Sequence, residues 1–277
     1  MTTAIVTGAS GGIGGAIARG LVRAGFHVIG TSRDPAAISP DQRIEGVRYL
    51  PLDLRDARSI EAFAAEAGAA VGGAADVLVN NAGASQIGAL EEVPLERMRS
   101  LFETNLFGSL RLTQLLLPAM RARRSGTIIN VASFAGVSPV PFLSVYAASK
   151  AALIAISRGL RAETAPWGIR VVVVAPFDIH TSIPLEIVSP EGSPYGATVQ
   201  RVKEARDRFL AEAPEPGLVA STVLSILVRP SRRFFYPVGR GGRVTALLIR
   251  LLPDSIVAAV VRKRFGLRVM PHPKILP

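Results

Sequence analysis

Short β-branched runs alternate with segments of helical period along most of this chain. That alternation restricts the fold more than any other feature. Ala4–Thr7, Val28–Thr31, Val47–Leu50, Val77–Asn80, Thr127–Val131 and Arg170–Val174 read as strands. They are nearly continuous apolar runs, as expected of parallel strands buried on both faces. Between them, Ile13, Ile17 and Leu21 mark one helix, and Ile60, Phe63, Ala67 and Val71 another. Longer helices are predicted from Leu95 towards Met120 and from Val145 to about Thr164. The pattern predicts an α/β fold, a doubly wound parallel sheet with helices on both faces.

After Val174 the rhythm changes. Residues 176–217 contain six Pro and three Gly, with little periodicity before Val199–Leu210, and read as a substrate loop or lid. Leu218–Val228 then reads as a helix and Phe234–Val238 as a last strand. With 277 residues and no linker or repeat, a single domain is expected. Residues 1–243 form its nucleotide-binding and catalytic part, and residues 244–277 form a basic, apolar C-terminal extension. Charge separates the two. Residues 1–228 carry 21 basic and 20 acidic side chains, whereas residues 229–277 carry 11 basic and one acidic, Asp254.

The composition also excludes. There is no Cys, so disulfide scaffolds, thiolate metal sites and a Cys nucleophile are ruled out. The three His, His27, His180 and His272, lie far apart in sequence, so no metal site is expected. Met1–Thr7 is short and uncharged and does not read as a targeting segment. The apolar stretches Val244–Ile249 and Ile256–Val261 fall well short of the ~20 residues that a membrane-spanning helix needs.

The first strand runs into Thr7–Gly14, TGASGGIG, with a helix directly after it. The spacing G-x-x-x-G-x-G at Gly8, Gly12 and Gly14 differs from the usual dinucleotide fingerprint, but the physics is shared. Glycines permit a tight turn and let the backbone approach a pyrophosphate at a helix N-terminus, as in a Rossmann-type fold. An acidic residue after the second strand would bind the ribose 2′-hydroxyl of NAD(H). This chain has Ser32 and Arg33 there, and a hydroxyl beside a guanidinium suits the 2′-phosphate of NADP(H). NADP(H) is therefore expected in preference to NAD(H), with Asp34 as a competing partner for Arg33.

Tyr146 and Lys150 lie four residues apart at the start of a helix and so share a face. A phenol with a pKa near ~10 is a poor base at neutral pH, and a nearby ammonium lowers that value. Ser133 follows the strand ending at Val131, at the sheet edge where open α/β folds bind ligands, and can hydrogen-bond a carbonyl oxygen. Asn80–Gly83 follows another strand end, and Asn105 lies inside a long helix, where Asn is disfavoured. Each residue alone has an ordinary reading as turn, kink or surface helix; their joint occurrence argues for a site.

The motifs TGASGGIG, Asp53, NNAG at Asn80–Gly83, Asn105, Ser133, YAASK at Tyr146–Lys150 and Pro176–Thr181 occur in the order seen in short-chain dehydrogenases/reductases. The chain resembles that family over about residues 3–181. The resemblance implies Tyr146 as general acid–base, Ser133 holding the substrate oxygen, and Lys150 binding the nicotinamide ribose and lowering the Tyr146 pKa. It implies that Asn105 holds a water linked to Lys150. Cofactor contacts are implied at Gly8, Ser10, Gly12, Ile13, Gly14, Ser32, Arg33, Leu54 and Pro176. Asp53 would contact adenine, Asn80, Ala82 and Gly83 would line the adenosine and ribose side, and Ile179 and Thr181 would hold the carboxamide. The family also implies a homodimer or homotetramer built on the two long helices.

Pro176-Phe177 departs from the family's Pro-Gly, which restricts the backbone and adds a ring near the nicotinamide. The pattern of Pro230, Val238-Gly239 and Leu251-Leu252-Pro253 resembles the 17β-hydroxysteroid-dehydrogenase-like branch, which acts on steroids, retinoids and other hydrophobic alcohols and ketones. Phe134, Phe142, Phe177 and Ile183 are candidate substrate contacts. Val244–Leu267, with Arg250, Arg262, Lys263, Arg264 and Arg268 nearby, either covers the pocket or a subunit contact, or lies on anionic membrane. No nucleic-acid recognition module is visible. The expected activity is hydride transfer between NADP(H) and a hydrophobic secondary alcohol or ketone, in the cytoplasm or peripherally at a membrane. Two alternatives are a non-catalytic NADP(H)-binding regulator and an enzyme using its cofactor for dehydration or epimerisation.

Overall fold

A computed structural model describes residues 2–181, 183–229 and 231–267, apart from the side chains of Arg243 and Arg250. Pro230, Arg268 and the rest of the segment 268–277 lie outside the described residues. The strands are β1 (Thr3–Val6), β2 (His27–Ser32), β3 (Val47–Pro51), β4 (Val77–Asn80), β5 (Ser85–Gly88), β6 (Gly126–Val131), β7 (Ile169–Pro176), β8 (Leu185–Val188) and β9 (Phe235–Val238). The helices are α1 (Gly12–Arg23), α2 (Ala57–Ala70), α3 (Leu95–Phe102), α4 (Gly108–Arg123), α5 (Ser144–Thr164), α6 (Gly196–Ala211), α7 (Gly217–Val228), α8 (Gly242–Leu251) and α9 (Asp254–Arg264).

Seven parallel strands form the central sheet in the order β3-β2-β1-β4-β6-β7-β9. Successive side chains of a strand point to opposite faces, so each strand feeds two cores. Ala4, Val6, Val77 and Val79 pack on one face against Ile17 and Leu21 of α1 and Val219 and Val223 of α7. Ile5, Leu78 and Ile128 pack on the other against Ile60 and Phe63 of α2 and Leu112 and Leu116 of α4. This double burial is why the strands read as unbroken apolar runs. Strand order reverses between β1 and β4, which opens a crevice at their C-terminal ends.

The expected strands are present with small shifts at their ends. Four features differ from the sequence reading. The helix expected from Leu95 towards Met120 is two helices, α3 and α4, joined by a π-helical turn over Glu103–Phe107. A second, two-stranded parallel sheet pairs β5 with β8. Strand β8 lies in the stretch read as a lid and β5 in one given no element; four residues each, they carry too little pattern to be read. Within residues 176–217, α6 is longer than the periodic run Val199–Leu210. The expected start of the extension, between residues 243 and 244, falls inside α8. No helix among the described residues is long and apolar enough to cross a membrane.

Candidate active site

The crevice deepens into a cavity of about 1090 Å³ that runs from the glycine loop past Ser133 and Tyr146 to α6, α8 and α9. At one end, Gly8 and Gly12 adopt φ +67° and +53°, a left-handed backbone that favours glycine. The turn they make points the start of α1 at the cavity. No side chain caps this helix, so its first N–H groups are open to an anionic ligand. Gly8, Ser10, Gly12 and Ile13 line this end, while Gly14 lies beneath the loop. A Cβ on Gly14 would collide with the Gly8 carbonyl and the Asn81 side-chain amide. Gly14→Ala is therefore expected to destabilise the protein by about 1–3 kcal/mol, the usual range for overpacking. Thermal unfolding would show it, together with weakened dinucleotide binding.

Thr31, Ser32, Arg33, Asp53 and Leu54 line the same end. The Asp34 carboxylate accepts from the N–H groups of Ala36 at 2.9 Å and Ala37 at 3.3 Å. No ion pair among the described residues involves Arg33 or Asp34, so the expected competition does not arise. Ser32 Oγ donates to the Asp34 carbonyl at 3.1 Å. Asp53 is held by Arg55, whose Nε and Nη2 donate to it at 3.2 and 2.9 Å. This hydrogen-bonded guanidinium keeps the Asp53 carboxyl below its ordinary pKa. Arg55 also lines the cavity and escaped the sequence reading.

Asn80 is not on the wall. It is buried, and its amide donates to Thr113 Oγ1 at 3.1 Å and Asn130 Oδ1 at 2.8 Å. The last residue of β4 faces the interior here, so its neighbours Asn81, Ala82 and Gly83 line the cavity instead. Asn81 also braces the glycine loop by donating to the Thr7 carbonyl at 2.9 Å.

Ser133, Tyr146 and Lys150 meet at the middle of the cavity. Ser133 caps a short 3₁₀ turn, its hydroxyl accepting from Ala135 N–H at 3.1 Å. Lys150 is 3% exposed, and its Nζ donates to the Val131 carbonyl at 3.2 Å. Burial lowers its pKa to about 8. The expectation that Lys150 lowers the Tyr146 pKa is not met in this structure. Burial raises the phenol, and the opposing influences come from the adjoining Ser133 hydroxyl and the Arg206 charge. Desolvation thus outweighs the neighbouring charge.

Asn105 stands in the π turn behind these residues and is 1% exposed. Its amide donates to the Ala84 carbonyl and to Ser149 Oγ, both at 3.0 Å, and its Oδ1 accepts from Ala84 N–H at 2.8 Å. Ser149 in turn donates to the Tyr146 carbonyl at 2.7 Å. Asn105 therefore ties Ala84, just before β5, to the helix that carries Tyr146 and Lys150, and π turns recur at such places. Ser149 was missed, although its place between Tyr146 and Lys150 was the available signal.

Pro176, Phe177, Ile179, Thr181 and Ile183 also line the cavity. Phe177 replaces glycine without backbone strain; the left-handed residue is the next one, Asp178, at φ +43°. The Phe177 ring packs edge-on against Phe134, with centroids 4.8 Å apart. Phe142 lies off the wall and packs on Tyr195 at 6.0 Å. The outer wall comes from Arg206 and Phe209 of α6 and from Leu248, Val257 and Arg264 of α8 and α9. Arg264 pairs with Asp178 and stacks on Phe209 at 4.2 Å, joining α9, α6 and the loop after β7. No local pattern marks these long-range contacts.

A doubly wound sheet, a glycine loop at the switch point and a Ser–Tyr–Lys group in one cavity define a dinucleotide-dependent oxidoreductase architecture. The sequence profile of the short chain dehydrogenase family matches residues 2–191, and the chain belongs to this family of oxidoreductases. It is 34% identical to the uncharacterized oxidoreductase YusZ of Bacillus subtilis (strain 168), covering 94% of this chain and 97% of that protein. It is 31% identical to a 3-ketodihydrosphingosine reductase of Bacteroides thetaiotaomicron, covering 95% and 98%. A short-chain dehydrogenase from Streptomyces avermitilis, solved by crystallography, superimposes with a TM-score of 0.80 at 34% identity, covering 96% and 97%.

Proposed function

We propose that the protein is an NADP(H)-dependent oxidoreductase acting on a hydrophobic secondary alcohol or ketone of steroid-, retinoid- or lipid-like character. The carrying observation is the single cavity that joins Arg33, the glycine loop, Ser133–Tyr146–Lys150 and an apolar outer chamber. The residues fit a dinucleotide: uncapped N–H groups at α1 would receive a pyrophosphate, and Arg33, on the wall of the same cavity, would hold a 2′-phosphate. The buried Lys150 ammonium suits ribose hydroxyls. When bound, the nicotinamide supplies or accepts the hydride.

The chain's own residues handle the rest. Ser133 donates a hydrogen bond to the substrate oxygen. Tyr146 gives that oxygen its proton during reduction and takes it back during oxidation. The raised phenol pKa keeps Tyr146 protonated at neutral pH, ready for reduction. Asn105 and Ser149 hold the Tyr146 backbone in place. Phe134, Phe177 and Leu248 give the outer chamber an apolar lining. A homodimer or homotetramer built on the long helices is supported by the exposed Phe107 and Ile156 on that surface.

The test is NADPH oxidation, followed by absorbance, against steroid, retinoid and long-chain ketones, with NADH in parallel. Preference for NADPH and turnover of an apolar ketone are expected. Arg33→Glu should weaken NADPH about 10–100-fold while sparing NADH, the worth of a charge-assisted bond. Equal use of both cofactors by the unaltered protein would overturn the Arg33 assignment.

A further inference from the structure

Seven of the fifteen exposed large apolar side chains among the described residues fall within the seventeen positions 244–260. In α8 they form a stripe at helical spacing: Val244, Leu247, Leu248 and Leu251, exposed by 62%, 59%, 45% and 71%. A surface helix normally turns such a stripe inward. Ile256 and Val260 continue the patch on α9, at 46% and 60%. The inner sides of both helices are apolar too, and Thr245, Ile249, Val257 and Val261 line the cavity. Leu248, Leu252 and Val260 belong to both surfaces, so the exposed patch is continuous with the rim of the cavity.

Charge identifies the occupant. Residues 229–277 carry 11 basic side chains and one acidic, and Arg262 and Lys263 close α9 beside the patch without an ion pair among the described residues. Apolar side chains next to unpaired cations match an acyl-chain surface bearing anionic headgroups. A second copy of this chain would bring the same excess of positive charge against itself.

We propose that the outer face of α8 and α9 docks on anionic lipid, and that the cavity takes its substrate from that membrane. The docking stands on the surface alone; the supply of substrate rests on the reductase reading. Bilayer contact places the cavity rim at Leu248 and Leu252 against the acyl region, where an apolar ketone is concentrated.

The test is sedimentation of the intact protein with vesicles of phosphatidylcholine alone or mixed with phosphatidylglycerol. Binding to the mixed vesicles, weakened by salt, is expected. The pair Leu247→Asp and Leu251→Asp should lower vesicle affinity about a hundredfold, since two leucines lose their burial in lipid. The pair Arg262→Gln and Lys263→Gln should lower it about thirtyfold. Leu247, Leu251 and Lys263 are exposed and Arg262 is half-buried, so unchanged thermal unfolding serves as the folding control. Tyr146→Phe should bind vesicles like the unaltered protein, which separates docking from catalysis. No binding to anionic vesicles would overturn the proposal. So would light scattering that shows a dimer dissociated by the leucine pair, since a second copy would then cover the patch. Vesicle binding with no faster turnover of lipid-dissolved ketone would overturn the substrate route and leave docking intact.

Discussion

Tyr146→Phe is expected to lower kcat for ketone reduction by about 10²–10⁴-fold, the usual contribution of a positioned acid–base group. The variant keeps the ring and its packing and loses only the hydroxyl. Dinucleotide affinity and thermal stability should therefore change little. No other group takes over the proton: Ser133 is a neutral hydroxyl, and Lys150 donates towards the Val131 carbonyl. Single-turnover kinetics with NADPH would measure the loss at the chemical step. Turnover that survives the substitution would remove Tyr146 as the acid, whereas NADPH binding without turnover in the unaltered protein would favour a binding-only protein.

Lys150→Met should abolish activity and yet make the protein more stable at neutral pH. The ammonium is buried with a single carbonyl partner, and its pKa falls from 10.5 to about 8. Below pH 8 the group is charged in both folded and unfolded chains, and the folded chain bears the desolvation cost. Between about 8 and 10.5 the unfolded chain binds more protons than the folded one. Stability from this residue therefore rises with pH across that window. The shift corresponds to about 3 kcal/mol, which Met would recover in large part below pH 8, less the lost hydrogen bond. Denaturant unfolding of both proteins at pH 7 and pH 9 would measure it, and the gap should narrow at the higher pH. A less stable variant at pH 7 would show that the carbonyl bond outweighs burial. Such a residue is kept for function at a cost in stability.

The structure brings the candidate site residues together unevenly, and the reasons are physical. Gly8, Gly12, Ser133, Tyr146 and Lys150 were legible because each chemical role demands a residue type at a fixed offset from a strand or helix end. Asn80 was misplaced because a one-residue step along a strand reverses its face, and Asn81 took the wall instead. Asn105 was singled out as an odd residue in a helix. Its bonds to Ala84 and Ser149, and the π turn around it, depend on neighbours 21 and 44 residues away. The pull on Tyr146 also depends on surroundings: burial and Arg206 act on it, and neither is encoded in the spacing to Lys150.

By itself, the amino-acid order determined the parallel doubly wound sheet, because strands buried on both faces must be apolar throughout. It also determined the glycine loop, because glycine favours the left-handed turn at Gly8 and Gly12, and the Tyr146–Lys150 pairing, because helical geometry puts residues four apart on one face. Tertiary structure alone decided which charges are spoken for: Arg33 has no ion pair among the described residues, Arg55 holds Asp53, and Arg264 locks on Asp178. It alone turned the stripe of α8 outward and placed its edge on the cavity rim. Pairing and exposure are properties of distances between segments far apart in the chain, and periodicity along one segment carries no record of them.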